Sequence, residues 1–247
     1  CIAFAGMVVS EKHPLKNCPH IPAHTLKSAQ KELEEQYKQG KWLKKDMAAE
    51  ALEWARHNAS SMSLEDIAVR IGGRLEKNGE QEQVILPCFN KVLVITKDRV
   101  QDDKGLELTR NEQTFVYIHM AQGGSAPPSG NMKSLKEFPN TISKIVSMKD
   151  HVEGPLKKQF SSALDRLARA CEAFGGQSVK ESFDSADLAY QFAAFPRVPV
   201  VLLFWDEKDG FEADAKLLFD ETVIQHLDIE SIMFLSEHLT KNLMEAL

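Results

Sequence analysis

The run Val198-Pro199-Val200-Val201-Leu202-Leu203-Phe204-Trp205 is the longest uninterrupted apolar stretch in the chain, and it constrains the fold more than any other segment. It is far shorter than the roughly 18 to 20 apolar residues a membrane-spanning helix needs. Its length and its Val, Phe and Trp content fit a strand buried in a core. Leu188 to Ala194 reads as a second strand, with Pro196 and Pro199 around the connection. No membrane span is expected anywhere in the chain.

Helix signals surround this strand pair. Thr109 and Glu112 have the spacing of a capping box, which predicts a helix from Arg110 to Gln122 that stops at Gly123 and Gly124. Ser63 is placed to cap a helix ending at Gly72 and Gly73, with Leu64, Ile67, Ala68 and Ile71 on one face. Asp228 caps a final helix, Ile229 to Leu247. Leu156, Phe160, Leu164, Leu167 and Cys171 recur at three to four residues, predicting one helix from Pro155 to Phe174. Gln83 to Leu86 and Val92 to Thr96 read as an antiparallel pair joined by Pro87 to Lys91. Upstream, Thr25 to Tyr37 and Lys44 to His57 read as helices on either side of Gly40. The fold class is α+β, a mixed or antiparallel sheet with packed helices, preceded by a small helical segment and a helical connector. The expected boundaries are 1–24 for the first segment, 25–60 for the connector and 63–247 for the α+β domain.

Thirty Lys and Arg stand against 36 Asp and Glu, a net charge of -6. That balance lacks the basic field expected of a nucleic-acid or anionic-membrane binder. Four cysteines in 247 residues are not a disulfide framework. Their scarcity, with no secretory leader in view, fits a reducing cytoplasm. The chain opens on Cys1, which we read as a processed form or a piece of a longer protein. A lipoprotein tether is disfavoured, because Cys1, Phe4, Ala5 and Val8 share one helical face.

Cys1 and Cys18 carry the sharpest chemical signal. Two thiolates bracketing a short helix and loop supply half of a four-cysteine metal site, and a helix start favours the thiolate at Cys1. A zinc site from Cys1, Cys18, His20 and His24 is the rival. Cys88 and Cys171 read as packed hydrophobes. Arg197, Trp205, Asp209 and Asp220 form a possible ligand site around the strand pair, although the acidic run from Asp206 to Glu221 reads first as a solvated turn. The stretch Gly123 to Gly130 lacks the Gly-Lys-Ser/Thr sequence of a phosphate loop, and His119 reads as a partly buried histidine.

The run Cys1-Ile2-Ala3-Phe4-Ala5 with Asn17-Cys18-Pro19 resembles the second half of the C-x2-C-x4-C-x16-C segment of corrinoid iron-sulfur proteins and Rnf-type electron-transfer subunits. The resemblance implies that Cys1 and Cys18 are the third and fourth ligands of a 4Fe-4S cluster, the first two being absent from this sequence. From about Ser63 onward the chain resembles the family called domain of unknown function 3786. The residues that carry this likeness are Phe195-Pro196-Arg197-Val198-Pro199-Val200, Trp205, Asp209, Phe211, Leu218-Phe219-Asp220, Leu227 and Glu230. The first likeness implies an iron-sulfur electron-transfer protein of anaerobic metabolism, with a redox or corrinoid protein as partner, while the second brings no established reaction. The alternative is a ligand- or protein-binding module whose cysteine segment is structural. An active site within the larger domain is a third possibility.

Overall fold

In the computed structural model the described residues are Val8, 14–18, 20–39, 47–79 and 81–246. The expected opening helix lies outside them, apart from a helical and buried Val8. The chain divides into two compact units, Cys1–Ala51 and Leu52–Leu247.

In the first unit a 3-10 turn at Leu15–Asn17 precedes helix α1 (Leu26–Lys38). Leu26, Ala29 and Leu33 lie at helical spacing along α1 and are each half-buried. Helix α2 (Met47–Ser60) carries the boundary between the units. In the second unit it buries Leu52, Ala55 and Ala59, one stripe at spacings of three and four.

Helix α3 (Leu64–Ile71) is capped as the sequence predicts, with the Ser63 hydroxyl accepting from the Asp66 amide at 3.1 Å. It ends at Gly72, whose φ of 75° is left-handed and suits glycine. Four strands follow as an antiparallel meander: β1 (Arg74–Asn78), β2 (Gln81–Cys88), β3 (Lys91–Ile95) and β4 (Val100–Asp102). The expected five-residue link between β2 and β3 is shorter, because pairing continues to Cys88 and Lys91 and leaves Phe89-Asn90 as the turn. Strand β1 escaped the sequence reading because polar pairs hold it. Lys77 faces Glu82 with an ion pair at 2.7 Å, and Gln83 donates to the facing Glu76 at 3.1 Å.

Helix α4 (Arg110–Gln122) opens with the predicted capping box. After β5 (Met132–Ser134) come α5 (Ile142–Met148), a π-helical turn (Lys149–Glu153) and α6 (Gly154–Phe160). The predicted single helix to Phe174 is broken. Helix α7 (Leu164–Ala173) is separate, and Ser162 between them has a φ of 57°. The break is fixed from a distance: the Ser162 amide donates to Asp206 at 2.7 Å, and the Ser161 and Ser162 hydroxyls donate to Glu207 at 2.9 and 2.5 Å.

The second sheet is antiparallel in the order β5-β9-β8-β7-β6, with β6 (Gln177–Ser178), β7 (Leu188–Phe195), β8 (Val198–Trp205) and β9 (Asp214–Asp220). Strand β8 is buried on both faces, as its apolar run requires. Val200, Leu202 and Phe204 enter the main core, while Val201 and Leu203 pack with Ala186 and Ala189 on the other side. The two sheets are tied where the Phe89 amide donates to the Ala193 carbonyl at 3.0 Å, beside the bulge in β7. A 3-10 turn (Glu221–Gln225) leads into α8 (Ile229–Glu245), whose cap Asp228 accepts from the Ser231 amide at 2.7 Å. This is an α+β fold. Among the described residues no helix is long and apolar enough to cross a membrane.

Candidate functional site

The four residues expected to form a ligand site do not converge. In the β8–β9 ladder Trp205 faces Asp214 at one end and Val200 faces Phe219 at the other, so Trp205 and Asp209 lie at one end of the pair and Arg197 and Asp220 at the opposite end. Seven strand steps, roughly 24 Å, separate Val198 from Trp205.

Each of these residues has local work. Trp205 donates its indole N–H to the Ser185 carbonyl at 2.7 Å. Asp209 and Gly210 are the two central residues of the β8–β9 turn, both at positive φ, with Lys208 and Phe211 exchanging backbone hydrogen bonds across it. That is the geometry of a type I′ hairpin turn, for which Asp-Gly is a favoured pair. The acidic run is therefore not simply a solvated turn: it folds into this hairpin and into β9, where Ala215, Leu217 and Phe219 alternate inward.

Asp220 is buried and accepts from the amides of Thr222 at 3.0 Å, Ser129 at 3.1 Å and Gly130 at 2.7 Å, and from the hydroxyls of Thr222 and Ser129. Burial opposes its ionisation, yet these donors outweigh it and hold the carboxyl below the ordinary aspartate range. Its work is to pin the loop Gly123 to Asn131 to the end of β9. Arg197 donates to the Arg70 carbonyl at the C-terminal end of α3, at 2.8 Å.

Next to that end of the sheet lie His119 and His226, both fully buried and 5.5 Å apart between ring centres. His119 stacks on Phe195 at 4.4 Å, so the partly buried histidine expected from the sequence is a core residue. Its Nδ1 lies 3.4 Å from the His226 carbonyl, and His226 Nε2 lies 3.1 Å from the Ala126 carbonyl. Burial, followed by the neighbouring His226, pushes the pKa of His119 down to about 3. Burial likewise lowers that of His226.

A second polar group, not legible in the sequence, lies between β3, α4 and α8. Lys91 Nζ is 3.0 Å from Glu112 Oε1, and His238 Nδ1 is 3.8 Å from the same oxygen, with Cys88 lining the same seam. Burial raises the Cys88 thiol to about 12, and it raises that of Cys171 further still, so both are poor nucleophiles at neutral pH.

One surface offers substantial room. A cleft of about 990 Å³ opens where the helix widens into its π-helical turn. Lys149, Asp150 and Glu153 come from that turn, Lys157 and Lys158 from α6, and Asp214 and Lys216 from β9. The widened turn is closed by the Gly154 amide donating to the Lys149 carbonyl five residues back. Lys216 pairs with Glu153 at 3.2 Å and Lys157 with Glu212 at 2.8 Å. Among the described residues Lys149 and Lys158 carry no ion pair, which leaves two uncommitted cations on the cleft wall.

Cys18 closes the 3-10 turn of the first unit, its amide donating to the Leu15 carbonyl at 3.1 Å, and its thiol is free and half-buried. His20 and His24, the zinc alternatives, are exposed. Cys1 lies outside the described residues. Among those described, no group of three or more His, Cys, Asp or Glu side chains is placed to hold a metal ion.

The fold and its cleft define an α+β domain with a charged groove on one helical shoulder. The family described as Domain of unknown function (DUF3786) matches residues 63–242, and the chain belongs to that family. No curated protein and no solved structure matches the chain.

Proposed function

We propose that the second unit is a binding module whose site is the cleft at the π-helical turn. The observation that carries this reading is the pair of lysines, Lys149 and Lys158, without an ion pair among the described residues, on the wall of a roomy concavity. A concave surface with a few placed polar groups is where ligands are held, and interrupted helices recur at such places. The wall favours a group bearing negative charge. A panel of small carboxylates and phosphates screened by thermal shift against the full chain tests the reading: hits should disappear in Lys149→Ala with Lys158→Ala, and hits that survive both substitutions would refute it.

A second reading has its own support. Cys18 is a free, half-buried thiol on a turn, with 16 residues between it and Cys1, in the spacing that corrinoid iron-sulfur proteins use. On this reading 1–24 is the later half of a 4Fe-4S segment, 25–60 is a connector and 63–247 docks a redox or corrinoid partner. The cluster would supply one-electron chemistry, and Cys1 and Cys18 would supply two of its four thiolates. Iron, sulfide and zinc counted per polypeptide in anaerobically purified protein with its upstream sequence restored decide it. About four irons and four sulfides support the cluster, in line with the chemistry of such clusters. Zinc, or no metal, leaves the cysteines structural.

A further inference from the structure

Helix α5 runs directly into the cleft, and one of its faces is bare. Met148 is buried beneath it, whereas Ile142 is 84% exposed, Val146 65% and Ile145 40%. At about 100° per residue, Ile142, Ile145, Val146 and Lys149 fall within one arc of the helix surface. Three β-branched side chains in a row at i, i+3 and i+4 are more than the scattered apolar residues any surface carries. This stripe leads straight to an uncommitted cation, since Lys149 has no ion pair among the described residues. Two of the nearby acidic groups are already held, Glu153 by Lys216 and Glu230 on the flank by Lys144, and the lysines Lys149, Lys157, Lys158 and Lys216 outnumber the cleft's carboxylates Asp150, Glu153 and Asp214.

We infer that the α5 face and the mouth of the cleft receive an amphipathic helical segment of a partner protein, apolar along one side and bearing a carboxylate one turn beyond its apolar residues. The inference rests on the cleft reading above and names the class of its partner. The apolar side chains cover Ile142, Ile145 and Val146, and the carboxylate meets Lys149, with Lys158 behind it. Charge complementarity selects this occupant, because a purely apolar helix would leave Lys149 facing the interface without a partner, and a basic one would set like charges together.

The test uses the full chain and labelled helical peptides of about 18 residues, long enough to hold some helix in water. They carry Leu at i, i+3 and i+4 and either Glu, Gln or Lys at i+7. The Glu peptide should bind at least about tenfold more tightly than the Lys peptide, a difference of about 1.4 kcal/mol. Lys149→Glu with Lys158→Glu should invert that order, and Val146→Asp should abolish binding of all three without lowering the melting temperature. Equal affinities for the three peptides, no binding by any, or self-association that Val146→Asp removes would each overturn the inference. If small anions still shift the melting temperature through Lys149 and Lys158 while no peptide binds, the partner class fails and the cleft reading survives. If the anions have no effect either, both fail.

Discussion

Arg197 and Arg70 form a relay between helix ends. Arg197 Nη1 donates to the carbonyl oxygen of Arg70 at 2.8 Å, and Arg70 in turn donates its Nε to the carbonyl of Gly123 at 2.7 Å. The first bond satisfies the end of α3 and the second the end of α4, where free carbonyls and the helix dipole favour a cation. Arg197, which the sequence offers for a ligand site, is instead the cap of a distant helix. Arg197→Ala should therefore cost about 1.5 to 3 kcal/mol in denaturant unfolding, the range for hydrogen bonds to charged groups. Cleft ligands should bind the variant unchanged.

Acid should destabilise the fold through the buried imidazoles. The pKa of His119 is about 3 when folded, against 6.5 as the ordinary value, and that of His226 is also lowered. The unfolded chain then binds more protons than the folded chain between those values. The stability of the neutral pair is fully present above about pH 6.5 and is lost as pH falls toward 3. Midpoints of urea unfolding should drop steadily from pH 7 to pH 4, and the slope should shrink in His119→Phe even though that variant is less stable at neutral pH. An unchanged slope would contradict the assignment.

Asp220 should matter for folding well away from any ligand. Its carboxylate gathers donors from the exposed Ser129 and Gly130 and the buried Thr222, and Asp220→Ala removes the acceptor all of them share. The expected loss is about 3 kcal/mol, with Asp220→Asn milder. Hydrogen exchange should rise at residues 129–131 in the same variant.

The thiols should separate by reactivity. Cys18 should react with an alkylating reagent in the native protein near pH 8, while Cys88 and Cys171 should react only after unfolding, as their burial and raised pKa require. Mass mapping of the labelled peptides reads all three.

Local signals in the sequence translated directly into structure where their partners lie within a few residues. Ser63, the Thr109 and Glu112 box and Asp228 start their helices as their spacing predicts. The apolar run of β8 is a strand buried on both faces. What was missed depends on groups far apart in the chain. The break after Phe160 is held by Asp206 and Glu207, more than 40 positions away, so no pattern within the helix reveals it. Asp209-Gly210 was a legible hairpin signal masked by the carboxylates around it. The cleft brings Lys149 and Lys158 to Lys216, a juxtaposition that only the sheet order and the π-helical turn create.

The central claim is that binding takes place at the cleft. Hydrogen–deuterium exchange of the full chain, with and without a saturating anionic ligand from the screen, tests it most directly. The account predicts new protection confined to residues 149–159 and the β9 segment around Asp214 and Lys216. Protection centred instead on Arg197, the loop Gly123 to Asn131 and the start of β8 would contradict it and return the site to the opposite end of the sheet.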